Sequence, residues 1–227
     1  MQKIFKKTIK RKEEITMDKR LMNNEVELYG EITSNFQYSH EVFGEKFYKT
    51  FLLVKRLSGQ KDILPLIVSE RLMDVKEDYK GQYIEVEGQL RSYNIKEKEK
   101  SRLMLYVFAG EVEFTGDVNK EMSNYIFLDG YICKPPIYRK TPLGREIADL
   151  LLAVNRTYGK SDYIPCICWG RNARFAEKFQ VADHIQLGGR IQSREYQKKI
   201  NEYETEKRVA YEVSVSRMEE KDESRKG

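Results

Sequence analysis

Hydrophobic and polar residues alternate along most of the chain in short runs that are typical of β-strands. The runs at 26–32 and 126–132 each carry a glycine in mid-strand, which indicates a bulge or a tight bend. Strand-like runs follow in the same order in both halves, and turns that contain glycine separate them. A short stretch at 172–180 departs from this alternation. Its Phe175 and Phe179 are spaced i, i+4, which predicts a helix.

The chain repeats itself with a period of about 100 residues. Between residues 24 and 71, 14 of 48 positions are identical to the residue 100 positions later. One inserted residue then shifts the register, so that "YIEVEGQLRS" aligns with "HIQLGGRIQS". The matched pairs include Gly30 with Gly130, Arg56 with Arg156, Asp62 with Asp162, Pro65 with Pro165, Gly88 with Gly189, and Ser92 with Ser193. We infer two copies of one domain.

The order of elements predicts an all-β chain of two tandem OB-fold Greek-key barrels. Each barrel is predicted to have five strands and a short helix between strands 3 and 4. A mixed α+β sandwich is the alternative that the pattern alone leaves open. We expect one domain at 23–117, a linker at 118–122 and a second domain at 123–218. We expect 1–22 to be a flexible basic arm or an over-extended start, and 219–227 to be a disordered tail.

Charge is distributed unevenly between the two copies. The 227 residues carry a net charge of +5. Residues 1–22 contribute +5, residues 23–120 contribute −3, residues 121–218 contribute +4, and residues 219–227 contribute −1. An anionic polymer is therefore expected to prefer the second copy.

Several motifs of the second copy resemble the bacterial single-stranded DNA-binding protein family. They are a first strand with Gly130, the "TPLG" turn of 141–144, the "LAVNR" run of 152–156, Trp169 with Gly170, and "GRIQSREY" at 189–196. The resemblance implies single-stranded DNA binding without sequence choice, in replication, recombination or repair. It also implies a protein that is not an enzyme and needs no cofactor. Because family members assemble four barrels, a chain with two implies a homodimer, and replication or recombination proteins are further expected partners.

The candidate site combines aromatic rings with cations, as single-strand binding requires. Tyr163 and Trp169 are six residues apart on one strand and therefore share a face. The resemblance assigns base stacking to these two residues and to Tyr196, and Tyr158 lies in the preceding loop. The nearby candidate cations are Arg156, Lys160, Arg171, Arg190, Arg194 and Lys198. The alternative is that Tyr163 and Trp169 fill the barrel or a subunit interface.

The first copy lacks these rings. Ile63, Ser69 and Ile95 stand where the second copy has Tyr163, Trp169 and Tyr196. We expect the first copy to serve mainly in structure or assembly. This leaves a second interpretation, in which the barrels form a protein-interaction module of a replication or transfer complex with incidental nucleic-acid contact. RNA is also open as a ligand, since stacking and charge do not separate it from DNA.

Other classes of function receive no support from the sequence. Two histidines and three cysteines do not form the spacing of a metal site or a disulfide scaffold. No spacing of carboxylates or nucleophiles predicts catalysis. No apolar run is long enough to span a membrane. The sparse use of cysteine is typical of a reducing compartment, so we expect a cytoplasmic protein.

Overall fold

The computed structural model describes residues 22–97, 100–116, 124–199, 201–202 and 204–221, and these residues are almost entirely β. The first copy comprises β1 (Asn24–Ile32), β2 (Gln37–Val42), β3 (Glu45–Lys55), β4 (Lys61–Ser69), β5 (Tyr83–Glu97) and β6 (Lys100–Phe114). The second copy comprises β7 (Asn124–Ile132), β8 (Ile137–Lys140), β9 (Glu146–Asn155), β10 (Ser161–Trp169), β11 (His184–Lys199) and β12 (Thr205–Glu220).

Each copy closes into a five-stranded barrel, as predicted. In the first copy the pairing runs β1–β3–β4–β6–β5 and returns to β1, with only the β4–β6 pair parallel. The second copy repeats this pairing as β7–β9–β10–β12–β11 and back to β7. The sequence did not reveal the short strands β2 and β8, which extend the barrels as hairpins on β3 and β9.

Alternating side chains fill the two barrels. On β10, Ile164, Cys166 and Cys168 are buried, while the residues at either end of the strand point outward. Fully buried Leu and Ile side chains from β7, β9, β10 and β11 contribute to the core of the second copy: Ile126, Leu152, Ile164 and Ile185. Each contributes roughly 1.5–3 kcal/mol relative to an exposed position. The alternation read from the sequence therefore reflects barrel interior against surface.

The predicted helix is present in one copy and absent from the other. Helix α1 (Arg171–Ala176) follows β10, and it is held by the burial of Ala173 and Ala176. Residues 70–82 of the first copy form turns instead, so the prediction of a helix in each barrel was wrong there. The reason is local: Asp74 and Asp78 each accept a hydrogen bond from the backbone N–H two residues ahead, which competes with helix formation.

A β-bulge lies at the mid-strand glycine of each copy's fourth barrel strand. The register of β5 against β6 shifts between Glu87 and Gly88, and that of β11 against β12 shifts between Gly188 and Gly189. A Cβ atom at Gly189 would overlap the carbonyl oxygen of Ser214. Gly189 therefore lies where the bulge bends β11.

The two barrels share one sheet. Strand β1 pairs antiparallel with β7, with Val26 opposite Ile126 at the centre of the pairing. Strand β12 continues to Glu220, so residues 219 and 220, predicted to belong to a disordered tail, are in a strand. Three predicted segments lie largely or wholly outside the described residues: residues 1–21 of the arm predicted at 1–22, the linker at 118–122, and residues 222–227 of the predicted tail.

Candidate nucleic-acid interface

Strand β10 presents two aromatic side chains to solvent. Tyr163 is 42% exposed and Trp169 is 41% exposed, and they lie on the face of β10 opposite the buried Ile164, Cys166 and Cys168. This excludes the interpretation that they fill the barrel. Six residues of strand separate the two rings by roughly 20 Å. We call this pair the β10 aromatic row.

Tyr196 lies near the same surface but is less exposed. It belongs to the part of β11 that extends as a hairpin with β12, where it pairs with Arg208. The guanidinium of Arg194 lies 5.8 Å from the centre of its ring, which is a cation–π contact. A ring and a cation are therefore held side by side. Tyr158 lies in the 3₁₀ turn Thr157–Gly159, and its side chain is outside what the structure describes.

Four of the predicted cations lie on the surface of the second copy. Lys160 and Arg171 are exposed at the two ends of β10, one beyond each residue of the aromatic row. Arg194 is also exposed, and its Nε lies 3.7 Å from a carboxylate oxygen of Glu212. Lys198 is half-buried farther along the β11 hairpin. Positive charge therefore lies at both ends of β10 and along the β11 hairpin.

Arg156 and Arg190 lie elsewhere, between the two copies. Arg156 Nε donates to Asp162 Oδ2 over 2.7 Å, and its Nη2 donates to Asp162 and to the carbonyl oxygen of Ser92 in the first copy. Its guanidinium also covers the ring of Tyr93 at 5.6 Å. Burial and the neighbouring Arg56 lower the pKa of Arg190. Arg190 Nε is buried without a partner among the described residues.

The pairing of Arg156 and Asp162 is repeated in the first copy. Arg56 makes a two-bond contact with Asp62 at 2.6 and 2.7 Å, and Asp62 Oδ1 accepts from the backbone and hydroxyl of Ser193. In return, Asp162 Oδ1 accepts from the backbone N–H of Ser92 at 2.6 Å. Each aspartate thus ties its own copy to the other. We call this set the inter-copy junction: Arg56, Asp62, Ser92, Arg156, Asp162 and Ser193.

The electrostatics of the junction follow from its burial. The side chains of Asp62 and Asp162 are completely buried. Burial alone would raise the pKa of each, but hydrogen bonds outweigh it and hold both pKa values below the ordinary value for aspartate. For Asp162 the donors are Arg156, Ser92 and Arg91. Both carboxylates are therefore ionised and neutralised within the protein.

Comparison with known proteins gives the family. The Single-strand binding protein family matches residues 123–220. Single-stranded DNA-binding protein B of Bacillus subtilis (strain 168) is 33% identical over 94 residues, which cover 37% of this chain and 83% of that protein. The chain belongs to the single-strand binding protein family. This confirms the resemblance read from the motifs of the second copy.

Other family members match over a smaller share of their length. Single-stranded DNA-binding protein 2 of Listeria innocua is 36% identical over 83 residues, covering 34% of this chain and 52% of that protein. Single-stranded DNA-binding protein A of Bacillus subtilis is 35% identical over 83 residues, or 48% of its length. The chain spans about half the length of these relatives.

A solved structure supports the double-barrel fold. The wild-type single-stranded DNA binding protein from Thermus aquaticus superposes with a TM-score of 0.69 at 22% identity. The superposition covers 88% of this chain and 93% of that one. It therefore includes both copies, whereas the family match includes only the second. The divergent first copy therefore has the same fold as the second copy.

The first copy departs from the family at the surface rather than in the core. Ile63 and Ile95 are 48% and 42% exposed, so they occupy outward positions like those of the aromatic side chains they replace. Ser69 is buried, and its hydroxyl donates to Glu45. The first copy therefore presents no ring at the three equivalent positions.

Sequence reasoning missed the first-copy partners of Arg156 and Asp162. Arg91, Ser92 and Tyr93 come from the first copy, and no pattern in the second copy indicates them. The repeat did carry a signal, because arginine, aspartate and serine of the junction are identical in both copies. Within the described residues, no group of three or more His, Cys, Asp or Glu side chains could hold a metal ion. No helix there is long and apolar enough to cross a membrane.

Proposed function

We propose that this chain binds single-stranded DNA without sequence discrimination, as a binder rather than an enzyme. The observation that carries the proposal is the outward β10 aromatic row on an OB barrel of this family. Each base stacked on an aromatic ring contributes about 1–3 kcal/mol, and stacking tolerates any base. The relatives named above are single-stranded DNA-binding proteins, which supports DNA over RNA.

The proposed site is the surface of the second copy. Stacking is assigned to Tyr163, Trp169 and Tyr196, with Tyr158 as a further ring. Lys160, Arg171, Arg194 and Lys198 are assigned to phosphates. Arg156 and Arg190 were predicted for the same task. The bonds of Arg156 to Asp162 and to Ser92 of the first copy support a positioning role instead, in which Arg156 holds the first copy beside β10. Arg190 donates to Gln192 of its own strand, so its assignment to a phosphate is kept. The proposed domain boundaries are 23–117 for the first copy and 123–218 for the second.

The first test is fluorescence anisotropy of labelled oligo-dT, titrated at two salt concentrations with duplex competitor. We expect salt-sensitive binding that duplex does not displace. Trp169→Ala is expected to weaken binding roughly 5- to 150-fold, the equivalent of one lost stack. Trp169→Phe keeps a ring and is expected to retain most of the affinity. Absence of binding at low salt would refute the proposal.

The matched control is Ile63→Ala, at the first-copy position equivalent to Tyr163. Its side chain is as exposed as that of Tyr163, so its loss is expected to leave affinity unchanged. Since Trp169 is the one tryptophan of the sequence, quenching of intrinsic fluorescence by oligo-dT reports directly on the row. Equal weakening by Ile63→Ala and Tyr163→Ala would contradict the division of labour between the copies.

The proposed assembly is a homodimer of four barrels in the cytoplasm, acting in replication, recombination or repair with the proteins of those pathways. Size-exclusion chromatography with light scattering is expected to give twice the 26.9 kDa monomer mass. A monomer mass at micromolar concentration would contradict the dimer and leave the single-strand binding site intact.

A second candidate function is a protein-interaction module, and the surface of the first copy favours it. That copy exposes aliphatic Ile63 and Ile95 where stacking rings would be, and its charge is negative. In this case oligo-dT binding would be weak and indifferent to Trp169→Ala. The anisotropy titration therefore discriminates the two functions.

A further inference from the structure

A groove lies between the copies, where the last strand of each barrel approaches the other. Residues 101–105 of β6 form one wall and residues 208–211 of β12 form the other, with Pro165, Tyr196 and Lys198 beside them. We call it the inter-copy groove. Its volume is about 460 Å³, within the range of sites that hold small organic ligands.

The two walls are related by the internal repeat. Leu66 of β4 pairs with Val107, and its equivalent Cys166 of β10 pairs with Val213. Arg102 and Arg208 each lie five residues before those positions and are therefore equivalent. The groove thus receives one guanidinium from each copy. Arg102 Nη2 donates to the carbonyl oxygen of Val209 over 3.1 Å, which holds the two walls together.

Basic side chains predominate in the lining of the groove. Arg102, Arg208 and the half-buried Lys198 are its basic residues, and none of the described residues that line it is acidic. Arg208 also has a carboxylate partner outside the lining, because its Nε lies 2.7 Å from an oxygen of Glu206. Two tyrosines, Tyr196 and Tyr211, complete the lining. Cations beside aromatic rings are the combination that binds a phosphate and its base.

The groove is continuous with the β10 aromatic row. Pro165 of the groove lies two residues after Tyr163 on the same face of β10, and Tyr196 also lines the groove. A DNA strand stacked on Tyr163 therefore has the groove beside it. The far wall of the groove is β6 of the first copy.

We propose that the inter-copy groove binds a nucleotide of the same single strand, with its phosphates on Arg102, Lys198 and Arg208 and a base against Tyr196. The strand thereby passes from the second copy onto the first. The first copy then contributes to DNA binding through the positive charge of β6, its last barrel strand. It does not contribute stacking rings from β4. This inference rests on the proposed function of the chain.

The test measures the salt dependence of oligo-dT binding. For single strands, each phosphate contact contributes about 0.7 to the slope of log K against log salt concentration. Arg102→Gln is expected to lower the slope by about 0.7. The double variant with Arg208→Gln is expected to lower it further, but by less than a second full contact, because Arg208 is already paired with Glu206. The control is Arg71→Gln, which removes an exposed arginine of the first copy and is expected to leave the slope unchanged.

Oligonucleotide length adds a second criterion. Single OB folds cover about 4–16 nucleotides. Oligo-dT of about 8 nucleotides, read by quenching of Trp169, is expected to bind the Arg102→Gln variant as it binds the unaltered chain, whereas oligo-dT of about 35 nucleotides is expected to bind more weakly. Lys198→Gln removes charge from the groove while keeping the Arg102–Val209 bond, so it separates loss of charge from loosening of the walls.

The outcomes distinguish the two proposals. A reduced slope in both Arg102→Gln and Lys198→Gln supports the groove as a binding site. An unchanged slope in the folded double variant, with Trp169→Ala still impairing binding, overturns the groove and leaves the proposed function standing. Failure of the unaltered chain to bind oligo-dT overturns both.

Discussion

At the scale of single residues, two buried aspartates join the two copies of this protein. Asp62 and Asp162 are buried, ionised and bound to a guanidinium of their own copy and a serine of the other. Alternation along β10 makes Asp162 an inward residue, since Tyr163 points outward. A buried carboxylate requires a partner, and Arg156, six residues earlier in the sequence, supplies it.

Replacing Asp162 with asparagine is expected to destabilise the fold strongly. The substitution keeps the shape but leaves Arg156 buried without a counter-charge, which costs about 3–5 kcal/mol. Urea denaturation followed by circular dichroism measures the change. Asp149→Asn is the control, because its ion pair with Arg139 is exposed and is worth about 0–1 kcal/mol. Equal effects of the two substitutions would show that the junction adds nothing beyond a surface pair.

The junction also predicts how stability depends on pH. The pKa values of Asp62 and Asp162 are depressed in the folded state. Their stabilisation is therefore fully present above the unfolded pKa of about 3.9 and is lost as pH falls through the folded pKa values. Urea midpoints measured from pH 7 to pH 3 are expected to drop at the acid end. The urea midpoint of the Asp162→Asn variant is expected to drop less at the acid end. An identical pH profile in the two proteins would contradict a stabilising role for the ionised Asp162.

At the scale of elements, the bulge of β11 fixes how the barrel closes. Gly189 lies against the backbone of Ser214, where no Cβ fits. Gly189→Ala is expected to lower the free energy of unfolding by about 1–3 kcal/mol, as overpacking does. Gly110→Ala is the control, because a Cβ there would lie 3.6 Å from its nearest neighbour, the carbonyl oxygen of Glu87. Thermal unfolding of both variants checks this, and equal melting temperatures would show that the strand can shift to accept a side chain.

Strands were more predictable than the connections between them. Alternation identifies a strand from its own residues, because one face is buried and the other is not. The stretch at 70–82 occupies the place of the helix in the second copy, but Asp74 and Asp78 make local turns there. The short strands β2 and β8 escaped prediction for another reason: they are mostly exposed and carry little alternation.

At the scale of the molecule, the repeat predicted two barrels but not their contact. Residues 100 positions apart are identical because they do the same task, yet the repeat does not say with which copy each side chain bonds. Asn24 illustrates this, since its side chain bonds the backbone of Leu90 within its own copy, whereas Asp62 reaches Ser193 in the other. Arg156 was assigned to a phosphate groove for this reason. Only the three-dimensional structure shows which side chains bond within their own copy and which bond to the other copy.

The pairing of β1 with β7 gives the two barrels a shared sheet inside one polypeptide. Two separate chains joined by the same strands would come apart on dilution, because their encounter depends on concentration. Here the two barrels belong to one chain, so the effective concentration of each barrel near the other is high. The two barrels therefore stay paired even at low protein concentration. A DNA strand that contacts both barrels would bind a surface whose two halves cannot dissociate from each other.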